Sequence, residues 1–390
     1  MKKIKLTCAH AIVKHLISQK IFIDDKNEPL FPGAFGIFGH GNVACLGQAL
    51  QENQDKLPTY RGHHEQNMAL TGIAFARAKR RKQIFVATSS VGPGSTNMVT
   101  AAAVAMSNRL PILFLAGDTY ANRMPDPVLQ QVEHFNNPGI TVNDAFKPVT
   151  RYFDRITRPE QILQSLPQAI QVMLDPADTG PAFLSLSQDV QGETFEYPED
   201  FFVERVHNIR RPRPDDFQIK QAAEKIRNSI NPLIISGGGV FYSDAMETLG
   251  NFATKHNIPV TQTVMGYSTM KKDHSHFLGP IGGLGGKAAN NFAKQTDLAI
   301  AIGTKLGDFT TGSWANFENP DFSLVSLNIT RHDANKHLAQ AVVGDAKVSL
   351  IELSNALGDW KANDDWYKKS RDELKSWNEY VDKESGPTNQ

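Results

Sequence analysis

The sequence predicts an α/β protein in which a doubly wound parallel-sheet domain is followed by a Rossmann-like domain. Short apolar runs typical of buried strands alternate with helical patterns along most of the 390 residues. Glycine-rich turns follow several of these runs, which gives the order strand, turn and helix of parallel α/β units. The alternation restarts after a linker rich in arginine and proline, Arg210–Pro214. We therefore expect two domains.

Composition and charge exclude several classes of protein. Hydrophobic residues make up 40% and charged residues 21%, as in soluble globular proteins. The 41 basic and 41 acidic residues balance, which gives no reason to expect nucleic acid or an anionic membrane as a partner. His10, Lys14 and His15 interrupt the first apolar stretch, so no signal peptide or membrane span is expected. The two cysteines, Cys8 and Cys45, fit a reducing compartment, and we expect a cytoplasmic protein.

The first elements form a parallel α/β unit. Thr7 is predicted as the N-cap of the first helix. The strand Ala34–Phe38 then runs into the turn Gly39–Asn42, and a helix follows through Leu50. Because ligands bind at the carboxyl ends of parallel strands, His40 is either a turn residue or a group that faces a bound substrate.

The candidate functional residues of this domain lie near two predicted helix starts. The stretch Thr59–Ala69 ends an extended run and opens a helix, with Glu65 in the first turn. Free N–H groups favour a carboxylate there, and an isolated acid at this position is most often only a helix-stabilising residue. However, the strand Ile84–Ala87 is followed by the turn Gly92–Gly94, which brings backbone close to a ligand, and by Asn97.

The alternation continues to the end of the first domain. Strands are predicted at Pro111–Ala116 and around Pro148–Phe153. A helix starts within Thr157–Glu160, with a proline near its first turn, and ends near Asp175. The last strand is Pro181–Leu186.

The second domain repeats the pattern, with strands such as Leu233–Ser236 and Leu298–Ile302. The glycine runs Gly237–Gly239 and Gly282–Gly286 could cradle a nucleotide, but neither has the spacing of a dinucleotide-binding motif, and turn glycines are expected. The predicted segments are a first domain at 1–190, a linker at 191–214, the Rossmann-like domain at 215–358 and a helical tail at 359–390.

A carboxylate that opens one helix and a Gly-Pro-Gly-x-x-Asn turn that opens the next resemble the pyrimidine-binding domain of thiamine-diphosphate enzymes. The resemblance implies that Glu65 contacts the aminopyrimidine ring of the cofactor. That contact favours the imino tautomer, whose nitrogen accepts the proton of the thiazolium carbon. It also implies that Gly92, Pro93, Gly94 and Asn97 shape the thiamine side of the site.

The order of the two domains resembles the acetolactate-synthase-like branch of these enzymes. Four phrases are similar to the members that open a cyclic 1,2-diketone with water: Ile37–Asn42, Pro125–Gln131, Arg151–Gln161 and Ser187–Glu193. The branch usually has a proline where this chain has His40-Gly41-Asn42. This departure favours the hypothesis of a ring-opening hydrolase over that of an acetolactate synthase.

The resemblance to these members implies hydrolytic C–C ring opening of trihydroxycyclohexane-1,2-dione to 5-deoxyglucuronate in myo-inositol catabolism. His40 and Gln131 are then candidates for the substrate face.

Relatives in this family bind the diphosphate through magnesium on a Gly-Asp-Gly motif. Leu306–Phe309 and Val343–Ala346 contain Gly-Asp but lack the second glycine. We therefore expect no metal ligands in this chain, which resembles a truncated, inactive part, and its tail at 359–390 is expected to lead towards a missing diphosphate-binding domain. The resemblance also implies a homodimer or homotetramer with the site at the subunit interface.

Three alternatives remain open from the sequence. The chain could belong to an acetolactate-synthase-like carboligase, which joins two substrates instead of cleaving one. It could also be a nucleotide- or flavin-binding module without catalytic function. Finally, it could be a non-enzymatic subunit that only dimerises.

Overall fold

The computed structural model describes residues 2–124 and 126–386. The chain divides into two units, Met1–Arg210 and Arg211–Gln390. Each unit contains a six-stranded parallel sheet, which confirms the predicted α/β class. No helix in the described part of the chain combines the length and the apolar character needed to cross a membrane.

The first unit has eleven strands within its described residues. They are β1 (Lys3–Thr7), β2 (Gln19–Ile23), β3 (Lys26–Pro29), β4 (Ala34–Ile37), β5 (Thr59–Arg61), β6 (Val86–Ser89), β7 (Leu113–Asp118), β8 (Tyr152–Ile156), β9 (Ala182–Ser187), β10 (Thr194–Pro198) and β11 (Arg205–His207). The main sheet has the order β5-β4-β6-β7-β9-β8, and all its strands are parallel. Strand β4 therefore lies between β5 and β6. The chain adds β5 on one side of β4 and then crosses over to add β6 on its other side. Open α/β sheets bind their ligands at this switch point, outside the carboxyl ends of the strands.

The first unit also contains seven helices within its described residues, and the first of them begins at a side-chain cap. They are α1 (Cys8–Ile17), α2 (Gly39–Asn42), α3 (Gln48–Glu52), α4 (Glu65–Ala78), α5 (Pro93–Thr96), α6 (Val99–Asn108) and α7 (Ile162–Leu174). The predicted cap Thr7 is confirmed, since its hydroxyl accepts a hydrogen bond from the His10 N–H at 3.2 Å. Between α2 and α3 the chain makes a π-helical turn, Val43–Gly47, a form that often occurs at functional sites.

The strand predicted around Pro148–Phe153 begins later than expected. Pro148 lies inside a 3-10 helix, Val142–Val149, and the strand begins at Tyr152. Proline has no N–H to donate to a sheet, so it fits the irregular turn better than the strand.

The segment predicted as a linker, 191–214, is largely part of the first unit. Strand β10 pairs antiparallel with β1 at the start of the chain, and β11 pairs parallel with β2. Tyr197 on β10 is fully buried, and its hydroxyl donates to the carbonyl of Pro159 at 2.9 Å. The aromatic residues of this polar segment therefore supply core, and the connection between the units is short.

His15 lies in the core of the first unit with 2% of its surface exposed. Its ring stacks on Phe201 with the centroids 4.0 Å apart, and Nδ1 is 2.7 Å from the carbonyl oxygen of Phe201. Burial lowers the pKa of His15 from 6.5 to about 4. The folded unit therefore keeps this imidazole neutral, with its N–H donated to the carbonyl.

We expect this histidine to weaken the first unit in acid. Between pH 6.5 and about 4 the unfolded chain binds a proton that the folded chain does not, so the free energy of unfolding falls as the pH falls. His15→Asn keeps a donor for Phe201 but cannot titrate. Its loss of stability over this window should be smaller than the loss of the unchanged protein, by up to about 3 kcal/mol. Urea unfolding at several pH values between 7 and 4.5 measures the difference. The control is His10→Asn, since His10 pairs with Glu52 at the surface. If His15→Asn lost as much stability in acid as the unchanged protein, His15 would not be the source of the acid sensitivity.

The second unit is built in the same way. Its strands are β12 (Pro232–Ser236), β13 (Val260–Gln262), β14 (Phe277–Pro280), β15 (Leu298–Ile302), β16 (Ser323–Asn328) and β17 (Gln340–Val343). Its helices are α8 (Asp216–Arg227), α9 (Gly238–Tyr242), α10 (Met246–His256), α11 (Lys287–Ala293), α12 (Asp308–Thr311), α13 (Arg331–Ala334), α14 (Ala346–Leu357) and α15 (Asp364–Glu384). The parallel order β14-β13-β12-β15-β16-β17 is that of dinucleotide-binding domains, which confirms the predicted Rossmann-like domain.

The glycine runs of the second unit have packing roles. Gly239 follows β12 and donates its N–H to the carbonyl of Gly303 after β15 at 2.9 Å. A Cβ on Gly239 would lie 2.6 Å from the Cα of Gly303, so the two turns touch only because both residues lack side chains. Gly282 has φ +104°, and its Cβ would lie 2.3 Å from the carbonyl oxygen of Phe309.

The tail is helical, and it packs on its own unit. Trp366 of α15 stacks on Phe292 with the ring centroids 3.8 Å apart. Its indole N–H donates to the carbonyl of Pro232 at 2.9 Å. Helix α15 is therefore held to the second sheet at its first turn, and residues 387–390 of the predicted tail lie outside the described residues.

Candidate functional site

A cavity of about 620 Å³ opens at the switch point between β4 and β6. Its volume falls within the range of roughly 300–1,000 Å³ typical of small-molecule sites. It is lined by Ile37, Gly39, Glu65, Ser90, Pro93, Gly94, Thr96, Asn97 and Gln130. Four residues predicted from the sequence, Glu65, Pro93, Gly94 and Asn97, therefore line one cavity.

Glu65 is held between the start of α4 and the end of α5. His64 caps α4 in an extended conformation, and its ring Nδ1 accepts a hydrogen bond from the Asn67 N–H at 3.3 Å. Glu65 is thus the first residue of α4, where the helix dipole favours a negative charge. Asn97, just after α5, donates its Nδ2 hydrogen to Glu65 Oε2 at 2.7 Å. This bond fixes one carboxylate oxygen of the half-buried Glu65.

The Gly-Pro-Gly turn brings backbone close to this carboxylate. Gly92 has φ +68°, and a Cβ there would lie 2.0 Å from the carbonyl oxygen of Gln130. Pro93 opens α5, a position at which its missing N–H costs nothing. A Cβ on Gly94 would lie 3.5 Å from Glu65 Oε1 and would extend into the space beside it. Glycine at 92 and 94 therefore shapes both the turn and the cavity wall.

The cavity has polar groups that fit an aminopyrimidine ring. Ser90 Oγ is buried and has no hydrogen-bond partner among the described residues, although Ser90 lines the cavity. Oε2 of Glu65 is paired with Asn97, while Oε1 lies on the Gly94 side. A bound ring with N–H groups and ring nitrogens would give these atoms partners, because unpaired buried polar groups destabilise a site. The residues present therefore fit the pyrimidine end of thiamine diphosphate.

The two predicted substrate residues lie elsewhere. His40, in α2, lines a neighbouring cavity of about 410 Å³ instead of the Glu65 cavity. Gln131 lines neither of the two, and its Oε1 accepts a hydrogen bond from the Val128 N–H at 3.0 Å. It therefore closes its own turn, and its role as a substrate residue stays a prediction.

Gln130 and the anchoring role of Asn42 were not predicted from the sequence. Gln130 takes φ +64° and lines the Glu65 cavity in the place expected for Gln131. Asn42 is fully buried, and its Nδ2 donates to Thr88 Oγ1 at 2.9 Å and to the carbonyl of Ser89 at 2.6 Å. It ties the turn after β4 to β6. An asparagine within Gly39–Asn42 was a visible signal for such an anchor.

A chain of buried polar groups supports the opposite side of α5. Ser95 donates to Asn143, whose Nδ2 donates to Ser185 Oγ at 2.8 Å, and Ser185 donates to Asp118. Arg155 Nε lies 2.9 Å from Asp118 Oδ2. Burial tends to lower the pKa of Arg155, but the charges and hydrogen bonds of Asp118 and Asp144 together outweigh burial and raise that pKa. Satisfied buried networks of this kind make a site rigid.

No group of three or more His, Cys, Asp or Glu side chains within residues 2–124 and 126–386 could hold a metal ion. The two Gly-Asp pairs have structural roles. Asp308 accepts a hydrogen bond from Ser313 at 2.6 Å, and Asp345 caps α14 and pairs with Arg211 at 3.1 Å.

Two family models match the chain. Residues 33–136 match the thiamine pyrophosphate enzyme, N-terminal TPP binding domain, and residues 219–353 match the thiamine pyrophosphate enzyme, central domain. The first match spans Glu65 and the Gly-Pro-Gly turn, and the second spans the parallel sheet of the second unit.

Several curated relatives carry one name, 3D-(3,5/4)-trihydroxycyclohexane-1,2-dione hydrolase. The protein of Clostridium tetani is 47% identical over 99% of this chain, and that of Geobacillus thermodenitrificans is 47% identical over 92%. That of Clostridium perfringens strain 13 is 48% identical over 90%. The chain spans only 62%, 56% and 55% of the lengths of these three relatives.

The geometry and the comparisons agree. Glu65 at the switch point of the first sheet lies within the matched N-terminal domain, and the Rossmann-like sheet lies within the matched central domain. The chain belongs to the thiamine pyrophosphate enzymes, of which it carries the N-terminal TPP-binding domain and the central domain.

Proposed function

We propose that the full-length protein containing this chain catalyses hydrolytic ring opening of trihydroxycyclohexane-1,2-dione to 5-deoxyglucuronate in myo-inositol catabolism. The observation that carries the proposal is the hydrogen-bonded Glu65–Asn97 pair that lines the switch-point cavity. The shared name of relatives that are 47% and 48% identical supports the choice of substrate.

In this proposal the first unit binds the pyrimidine end of thiamine diphosphate. When bound, the cofactor supplies a thiazolium carbon that can lose its proton and attack a carbonyl group. Glu65 holds the proton at the pyrimidine ring, and Asn97 orients Glu65. Gly92, Pro93 and Gly94 keep the backbone close to the ring. Substrate lies on the side of His40.

We also propose that Mg²⁺ holds the diphosphate end through residues that this chain does not include. Phosphate-bound magnesium takes carboxylate and backbone oxygens as further ligands. The described residues offer no group of three such side chains, and the relatives are longer than this chain.

The same full-length protein is proposed to form a homodimer or homotetramer with the site at the subunit interface. Three apolar side chains in the segment between β7 and β8, Met124, Leu129 and Phe135, are 77%, 69% and 89% exposed. Leu129 is next to Gln130, which lines the Glu65 cavity. Exposed apolar groups beside a site are typical of interaction surfaces. We place the protein in the cytoplasm, since Cys8 and Cys45 are both free thiols.

Product analysis tests the proposal directly. The full-length protein, with thiamine diphosphate and Mg²⁺, is expected to convert trihydroxycyclohexane-1,2-dione to a deoxyhexuronate that takes up one oxygen from labelled water. Pyruvate supplied alone should give no acetolactate. Formation of acetolactate without ring opening of the dione would contradict the proposal and favour a carboligase.

A further inference from the structure

The second cavity, of about 410 Å³, lies across the turn after β4 from the Glu65 cavity. Gly39 lines the first cavity and its neighbour His40 lines the second, so the two share one turn. The chemistry-bearing residues around the second cavity are His40, Cys45, Arg123, Gln188, Asp189 and Glu193.

Two buried atoms of this lining have no hydrogen-bond partner among the described residues: His40 Nε2 and Gln188 Oε1. The orientation of Gln188 is set because its Nε2 donates to the carbonyl of His40 at 3.2 Å. The remaining group of the amide, Oε1, is therefore an acceptor. Leaving such atoms unpaired costs about 1–3 kcal/mol each, which a polar ligand would offset.

The charges around the cavity argue against an anionic ligand. Both oxygens of Asp189 accept backbone N–H groups, among them those of Ala121 and Arg123. Burial tends to raise the pKa of Asp189, but these hydrogen bonds hold it below its usual value, so the carboxylate stays charged. Glu193 adds a second carboxylate, whose Oε1 accepts from Asn122 at 2.9 Å. Two carboxylates would repel a phosphate or a carboxylate ligand.

The same lining fits hydroxyl groups. A hydroxyl donates one hydrogen bond and accepts two, so it can serve an amide oxygen and an imidazole nitrogen together. The Arg123 guanidinium lies 5.1 Å from the centre of the Tyr120 ring and pairs with no carboxylate in the described chain, which leaves its N–H groups for a further oxygen. Donors and acceptors therefore both line a cavity large enough for a small ring.

We infer that this cavity binds the hydroxylated face of the ring substrate, and that Gln188 and His40 determine specificity for substrates with vicinal hydroxyl groups. The inference rests on the proposed function and adds the site that distinguishes a polyhydroxylated dione from a plain one. Gln188 acts on binding and is not part of the reacting centre at Glu65.

The test compares two diones in the full-length enzyme. Gln188→Met keeps the side-chain length but removes both polar groups. The ratio of kcat/KM for trihydroxycyclohexane-1,2-dione to that for cyclohexane-1,2-dione should fall about tenfold, mainly through KM, because one buried hydrogen bond is lost. Gln51→Met makes the same change on the exposed side of α3 and should leave the ratio unchanged. An equal loss with both diones would show that Gln188 only shapes the turn, and would overturn the inference.

A binding measurement separates this inference from the proposed function. Apo protein titrated with myo-inositol, a hydroxylated six-membered ring without a reactive carbonyl, should bind at least about fivefold more tightly than the Gln188→Met variant. If the protein opens neither dione but keeps this difference, the proposed function fails and the hydroxyl site stands. If it opens the trihydroxy dione and Gln188→Met changes neither binding nor the ratio, the function stands and the hydroxyl site fails.

Discussion

Replacing Glu65 with glutamine is expected to lower the turnover of the full-length enzyme by at least about a hundredfold, the usual scale for a lost acid–base group. Glutamine can still accept the hydrogen bond of Asn97, since one oxygen remains at the end of its side chain. It cannot hold the proton that a carboxylate can. The measurement is steady-state turnover of the dione, together with the rate of hydrogen–deuterium exchange at the thiazolium carbon of the bound cofactor.

A surface variant supplies the control for the change of charge. Glu196→Gln removes one negative charge from an exposed pair with Lys3 at 3.8 Å, far along the chain from Glu65. Its turnover and exchange rate should match those of the unchanged enzyme. The thermal midpoint of Glu65→Gln should also stay close to the normal value, because the side chain is only half-buried and keeps its shape. Near-normal exchange in Glu65→Gln would rule out the assigned role.

The second large effect is expected at Gly92, where alanine should destabilise the first unit and abolish detectable cofactor binding. At φ +68° a side chain costs about 1–3 kcal/mol in backbone strain. The added Cβ would also lie 2.0 Å from the carbonyl oxygen of Gln130, so either α5 or the Gln130 turn must move. Thermal unfolding should show a lower midpoint, by roughly 2–4 °C for each kcal/mol. Calorimetric titration of the full-length protein with thiamine diphosphate and Mg²⁺ measures the second effect.

Gly94→Ala is the matched control in the same turn. Its Cβ would meet its nearest neighbours at 3.4, 3.5 and 3.9 Å, which is ordinary contact. The thermal midpoint should therefore stay within a few degrees of normal, while cofactor affinity falls because a methyl group enters the space beside Glu65. Equal midpoints for Gly92→Ala and Gly94→Ala would mean that the strained turn does not hold the wall of the site.

The parts of this site that follow from local rules could be predicted from the sequence. Glu65 begins α4, Asn97 caps the end of α5, and Gly92, Pro93 and Gly94 lie shortly after a strand, so neighbouring residues alone place them at the sheet edge. The parallel sheets follow from the same alternation of strands and helices, because each α/β unit is specified within a short stretch of chain.

The other parts depend on contacts between distant segments. Gln130 and Gln131 are adjacent and chemically identical, and the sequence alone does not show that Gln130, with its positive φ, lines the cavity. His40 was predicted at the sheet edge, but its cavity is completed by Gln188, which lies 148 positions later. The polar segment after Gln191 resembled a linker because its partner strands, β1 and β2, are at the other end of the unit.

The pairing of β1 with β10 also affects how the protein is made. Strand β1 is translated before β10, and its pairing partner in the described structure is absent until residues 194–198 have been translated. At about 5–20 residues per second this interval is on the order of ten to forty seconds. During that time the unpaired edge of β1 can pair with other strands, and unpaired edges are prone to aggregation. Variants that weaken the β1–β10 ribbon should therefore lower the yield of soluble protein in cells more than they lower the stability of the purified protein.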